Sequence, residues 1–293
     1  MLSADLLYFW NIARAILQGL SPYSVANVYP PATSYLFVVF GLLSFQAAAW
    51  GWAGVNLLTA LDIIRRLPAT RLRWLWLLFS PLVFIVLDGQ NDLVFLWLAL
   101  NLERKDWRAG VAAGLILLKP QIAFVVLPWY LIRWLLHDRK QIVRFAGLTA
   151  LLVVFPLVIR PGVYLEWLAA AQAQTALRFA ASPGLFAFTT FAVPIWIPAV
   201  LGGLIALAGL WLDPHSSWAA QLLALPGGRW YDSVLLLNAA PVWFAVPLSW
   251  LTFALAAWLK NSVPLVLIPV GILLWRVLAK TGPFRYNTEN SGG

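Results

Sequence analysis

Gly114-Leu115-Ile116-Leu117-Leu118-Lys119-Pro120-Gln121-Ile122-Ala123-Phe124 places one lysine inside an otherwise apolar run. Asp88-Gly89-Gln90-Asn91-Asp92 repeats the pattern with acids, between the apolar runs 82–87 and 93–100. A charge at membrane depth costs about 2.5–3.5 kcal/mol on insertion scales, so it faces a cavity or a partner rather than lipid. Proline carries no amide N–H, so a helix through the first stretch breaks at Lys119-Pro120. Together with an early Asp5, these charges predict a polar site built within a membrane protein.

Composition supports that frame. The chain has 293 residues, of which 62% are hydrophobic and 11% charged, against roughly 25% charged in a soluble domain. The apolar runs are continuous, whereas a β-barrel needs alternating segments of about ten residues. The expected fold is therefore all-α, a polytopic integral membrane helical bundle. No polar stretch is long enough to fold alone, so residues 1–280 read as a single transmembrane domain. Within it, 1–31 is an external loop and helix, 32–160 carries the motifs, 161–184 is an external loop and 185–280 supplies the C-terminal helices. The polar tail 281–293 is expected to be disordered and cytoplasmic.

The net charge of +9 falls mostly in short gaps between apolar runs: Arg65, Arg66, Arg71 and Arg73; Arg104, Lys105 and Arg108; Arg139, Lys140 and Arg144; Arg276, Lys280 and Arg285. This is the positive-inside pattern of a multi-pass membrane protein, surrounded by lipid, and nucleic acid is not expected as a partner. There are no cysteines, and the histidines are His137 and His215, so disulfides and Cys/His metal sites are not expected. No basic region precedes an apolar stretch at the start, so no cleavable signal peptide is read.

Residues 4–18 predict an amphipathic helix lying in the membrane interface. Leu6, Phe9, Trp10, Ala13, Ile16 and Leu17 fall on one face; Asp5, Tyr8, Asn11, Arg14 and Gln18 form most of the other. Tyr29-Pro30-Pro31 then forces extended backbone. The stretch 32–64 is interrupted near Ser44 and fits one crossing plus an interfacial piece. Segments 72–87 and 93–102, then 109–118 and 121–136, form two hairpins of helices short against the roughly 20 residues a span needs. The Asp88–Asp92 turn between the first pair is expected to line a water-filled pocket. Later apolar segments lie near 145–159, 185–212, 234–259 and 263–279. This threading gathers Asp5, Arg14, Asp88, Asp92, Lys119, Arg160 and Arg178 on one non-cytoplasmic side.

Each polar motif has two readings. Asp5 is a general base for a hydroxyl acceptor, or it solvates an interfacial helix. Gln90, Asn91 and Asp92 hydrogen-bond a sugar or phosphate ester, or they cap helix ends. Lys119 neutralises a lipid-linked phosphate as a point charge, or it snorkels from a helix end. Arg160 and Arg178 are weaker candidates of the same kind. Gly110 and Gly114 allow close helix packing. The 18 tryptophans form mainly an interfacial belt.

Taken in order, Asp5-Leu6-Leu7-Tyr8-Phe9-Trp10, Ala13-Arg14-Ala15, Gly19-Leu20-Ser21-Pro22-Tyr23, Tyr29-Pro30-Pro31, Gly89-Gln90-Asn91-Asp92, Ala112-Ala113-Gly114 and Lys119-Pro120-Gln121 resemble glycosyltransferase family 87 over residues 5–145. The resemblance implies a GT-C architecture with an active site facing the periplasm. It implies inverting transfer of a sugar, often mannose, from a polyprenyl-phosphate donor to a lipid or glycan acceptor, with no nucleotide sugar. It assigns Asp5 as the general base and Lys119 to the donor phosphate. Tyr8, Arg14, Tyr29, Gln90, Asn91, Asp92, Gln121 and Arg160 are the expected substrate-binding residues. Family members carry a transmembrane helix ahead of the Asp motif, whereas four residues precede Asp5 here; an in-frame apolar helix upstream of Met1 would restore the pattern. The alternatives are a truncated, non-catalytic structural subunit of a membrane assembly and a transporter of a lipid-linked solute.

Overall fold

A computed structural model of the chain describes residues 4–67, 69–173, 182–212, 214–225, 229–237 and 239–281. Gln174, Arg178, Arg285 and the tail beyond Thr281 lie outside the described residues, as do the side chains of His215 and Lys280. All regular structure among the described residues is helical.

The chain opens with α1 (Ala4–Leu17). Leu6, Phe9, Ile12, Ala13 and Ala15 are buried along it, while Asn11, Arg14 and Gln18 are exposed. The buried stripe centres on Ile12 rather than on Trp10 and Leu17, because the next two helices, α2 (Pro31–Leu36) and α3 (Val38–Gly41), dock there. The chain itself therefore covers this stripe. Phe9 stacks on Phe37 at 4.4 Å between ring centroids and meets Tyr29 edge-on at 5.4 Å. Gly41 is where the two backbones come closest: a Cβ there would lie 2.8 Å from Ala13 Cβ and 3.1 Å from the Ala13 carbonyl carbon. Gly41→Val is accordingly expected to overpack this contact at a cost of about 1–3 kcal/mol, seen as a lower thermal unfolding temperature in detergent.

Ser44 caps α4 (Phe45–Arg66) by accepting from the Ala47 amide at 3.3 Å. After a 3₁₀ turn, Arg73–Leu78, come α5 (Ser80–Asp88) and α6 (Asp92–Asn101). Each rises only about 15 Å, half of a hydrocarbon core of about 30 Å. The second short hairpin is α7 (Arg108–Ile116), a 3₁₀ turn (Pro120–Ile122) and α8 (Val126–His137). The long α9 (Arg139–Ile159) follows at once. It begins inside the basic gap ahead of the apolar segment 145–159, since Arg and Lys are good helix formers. Next come α10 (Val163–Ala173), α11 (Trp196–Gly209), α12 (Pro214–Ala224), α13 (Val242–Leu259) and α14 (Leu267–Thr281).

Three of the described helices, α4, α9 and α13, are long and apolar enough to cross a membrane. Val158 on α9 is 78% exposed, Trp258 on α13 77% and Trp50 on α4 77%. Large apolar side chains spread over whole helix faces need lipid, not water, around them. The short helices form the interior instead. Phe79, Ile85, Leu93, Ile116, Ile122 and Leu222 are fully buried, and they come from α5 and the residue ahead of it, α6, α7, the Pro120–Ile122 turn and α12. Gly110 and Gly114 seat α7 against α9, with a Cβ at Gly110 only 2.7 Å from the Gln141 carbonyl oxygen. The sequence reading passed over residues 213–233 as a gap between apolar segments. Here they supply α12, whose Ala219, Leu222 and Leu223 are core, and a 3₁₀ turn, Trp230–Leu236, that packs on α5 and α6.

Candidate active site

The site grows from the two breaks in the short hairpins. At the first, Gly89 ends α5 with φ +74, a left-handed conformation that glycine adopts without strain. The amides of Gly89 and Gln90 both donate to the Ile85 carbonyl at 3.0 Å. This αL closure reverses the chain within three residues. The turn is buried, so its own carbonyls need donors from the protein. α4 provides them: Trp52 Nε1 donates to Gly89 O and Asn56 Nδ2 to Gln90 O, each at 2.9 Å. Gln90, Asn91 and Asp92 are all buried.

At the second break, Lys119 leaves the helical conformation (φ −135, ψ 69) ahead of Pro120. The helix ladder stops, and its freed groups find side-chain partners. Thr33 of α2 donates to Leu118 O, and Gln221 of α12 donates to Ile122 O. Gln221 Oε1 accepts from the Val125 and Val126 amides at 3.1 Å. With the backbone satisfied in this way, the Lys119 side chain is free to turn inward.

Lys119 is 3% exposed. Its ammonium donates to the Asp92 carboxylate and, at 2.9 Å, to Asp232 Oδ1, and lies 5.5 Å from the centre of the Tyr231 ring. Asp232 is held from its other side by the Arg229 amide at 2.6 Å from Oδ2. One ammonium thus faces two carboxylates in the core. An ammonium has three N–H donors, and these two acids take two of them.

Asp5 joins the cluster through the same turn. Gln90 Nε2 donates to Asp5 Oδ2, two residues before Asp92. The phenols of Tyr29 and Tyr231 lie within electrostatic reach of both Asp5 and Asp92, and the Tyr8 ring is 6.2 Å from that of Tyr29. Several buried polar atoms here lack hydrogen-bond partners among the described residues: Gln90 Oε1, Asn91 Oδ1, Asp92 Oδ2 and Ser233 Oγ. Unpaired polar atoms cost free energy unless water or a ligand meets them. All four belong to Asp92 or to residues beside Asp92 and Asp232, the two acids that meet Lys119.

The structure therefore brings together Asp5, Tyr8, Tyr29, Gln90, Asn91, Asp92 and Lys119. Arg14 lies farther along α1, its guanidinium 5.6 Å from the Trp10 ring centre. Gln121 is half-buried, and its side chain makes no hydrogen bond among the described residues. Arg160 pairs with Glu166 of α10 at 2.7 Å, and Glu166 also accepts from the Ser21 hydroxyl. Partial burial pushes the Glu166 carboxyl up, but these two partners outweigh it and hold the group below the usual range. Arg160 thus ties α10 to the loop after α1, as does Trp167 Nε1 bonding Val28 O at 3.0 Å, and it stands apart from the Lys119 cluster.

Sequence reasoning missed Asp232, although its signal was of the kind that exposed Asp92: an acid next to the apolar run 234–237. It also missed Trp52, Asn56, Thr33 and Gln221. A single tryptophan or amide in a span carries no mark that it serves another segment's backbone.

No curated protein and no solved structure matches the chain. A family model does match it, beginning at residue 27, after the Asp5 motif, and ending at 231, beside Asp232. That match takes in most of the chain and both broken hairpins, and by it the chain belongs to glycosyltransferase family 87, a membrane glycosyltransferase acting on a sugar donor and an acceptor.

Proposed function

We propose that this chain moves a sugar, mannose in the first instance, from a polyprenyl-phosphate donor to a lipid or glycan acceptor at the periplasmic face of the plasma membrane. Residues 1–280 act as one multi-pass GT-C-type domain, with α1 at the outer interface. The observation that carries the proposal is the meeting of the Asp5 carboxylate, through Gln90, with the buried Lys119–Asp92–Asp232 cluster among unpaired polar atoms.

The chemistry follows from those groups. The acceptor hydroxyl oxygen attacks the anomeric carbon, and Asp5 takes the hydroxyl proton. The bond from that carbon to the phosphate oxygen breaks, and polyprenyl phosphate leaves with the electron pair. A single displacement inverts the anomeric centre. Its transition state resembles an oxocarbenium ion, as in glycoside hydrolysis. The remaining Lys119 donor faces the negative charge that grows on the leaving phosphate. Gln90, Asn91 and Asp92 hold the sugar hydroxyls, with Tyr8 and Tyr29 against its ring. Gln121, Arg14 and Arg160 bind more peripheral parts of donor and acceptor.

The test is reconstitution of the purified chain in liposomes with labelled polyprenyl-phosphate mannose, a mannoside acceptor and, separately, GDP-mannose. Label is expected in the acceptor from the lipid-linked donor and not from the nucleotide sugar, and the product linkage should show the opposite anomeric configuration by NMR. Movement of the donor across the bilayer without any transfer would support a transporter instead. A chain that is stable only within a larger assembly and transfers nothing would support the structural-subunit alternative.

A further inference from the structure

We infer that the groove along the polar face of α1 receives the body of a neutral oligosaccharide acceptor, longer than one sugar; this rests on the glycosyl-transfer proposal above. The groove encloses about 370 Å³, within the ordinary range of ligand sites. Tyr8, Asn11, Arg14 and Gln18 give its polar edge, and apolar side chains, Leu20, Val25 and Ala26 among them, make most of its wall.

Its position sets what it can hold. Asp5 precedes Tyr8 by about one turn of α1, and Tyr8 stands beside Tyr29, which reaches Asp5 electrostatically. The groove therefore starts where the attacking hydroxyl must lie. From Tyr8 to Gln18 the helix rises about 15 Å, which is room for more than one ring.

Its polar edge matches a hydroxyl-rich chain, whose rings turn their C–H faces to the apolar wall. The side-chain amides of Asn11 and Gln18 are exposed and make no hydrogen bond among the described residues. An amide offers both donors and an acceptor, as a sugar hydroxyl does. Arg14 is steadied over Trp10, so its donors are presented in a fixed plane. Tyr8 adds an aromatic face. A single cation in the lining suits an uncharged glycan.

The experiment compares two acceptor probes, octyl mannoside and octyl mannotrioside, with the full chain in liposomes and polyprenyl-phosphate mannose as donor. With the unaltered chain, the trioside should show a KM about tenfold lower or better, the return on two neutral hydrogen bonds. Two variants test the groove: the pair Asn11→Ala with Gln18→Ala, which removes the amides, and Ala26→Trp, which fills the groove from an exposed loop position and so should fold. Both should erase the trioside's advantage, at unchanged thermal unfolding temperature. Equal KM for the two probes with the unaltered chain overturns the inference, as does a trioside advantage that survives both variants. A rise in donor KM with the trioside advantage intact assigns the groove to a lipid tail and overturns it too. Absence of transfer to either probe removes the parent proposal and this inference with it.

Discussion

Asp5→Asn is expected to slow sugar transfer about 10²–10⁴-fold, the range that a positioned general base contributes, while the protein folds as before. The substitution keeps the shape of the side chain, and its amide oxygen can still accept from Gln90 Nε2. The only capacity lost is that of taking a proton. Asp5 is half-buried at the mouth of the cluster rather than sealed in the core, so a neutral side chain there leaves no charge stranded. Thermal unfolding of the variant should match that of the native chain, and donor KM should change far less than kcat. Gln90→Leu supplies the complementary case: it removes the amide that orients Asp5 but leaves the base, so its loss should be smaller than that of Asp5→Asn. Unchanged turnover in Asp5→Asn would take the base role from this residue and leave the cluster's other carboxylates, Asp92 and Asp232, to be tested in its place.

Much of this arrangement was legible before any coordinates, and the reason is the bilayer. Lipid makes every charge inside an apolar run conspicuous, so Lys119 and Asp92, which meet in the core, stood out by their cost alone. Pro120 and Gly89 marked the breaks because their backbone properties act locally. Residue pairing across the fold was not legible. Lys119 was read as a cation awaiting a phosphate, yet it is engaged by Asp92 and by Asp232, 113 residues downstream. The short hairpins were read correctly as too brief to span, but not why they persist. Asn56, Trp52, Thr33 and Gln221, from distant helices, satisfy the backbone groups that the breaks set free. Such residues look like ordinary small or polar members of a span until the contact is seen. On α1 the expected Leu6, Phe9 and Ala13 are buried, but Leu17 is exposed and Ile12 and Ala15 are buried beside them: helical periodicity gives the apolar face, and the docking of Phe37 and Gly41 decides its edges.

Lys119→Met is expected to cost about 3–5 kcal/mol of stability, because it leaves two buried carboxylates facing each other with no cation between them. Loss of protein from the membrane fraction and a marked fall in unfolding temperature should report it. Asp232→Asn should be milder. It leaves one ammonium opposite one carboxylate, and the amide keeps an oxygen for either Lys119 or the Arg229 amide, though not for both. These single changes mix stability with function, since the same ammonium is proposed to face the donor phosphate. Removing all the charges at once separates the two. The triple variant Lys119→Met, Asp92→Asn, Asp232→Asn buries no ion, and replacing a whole buried ion cluster by neutral groups is often near neutral for stability. It should therefore recover much of the unfolding temperature lost in Lys119→Met. If Lys119 serves the phosphate, transfer stays abolished in the stable triple variant, because the leaving group then departs without its cation. Recovery of transfer along with stability would reduce Lys119 to a counter-ion for its two acids and move phosphate recognition elsewhere in the site.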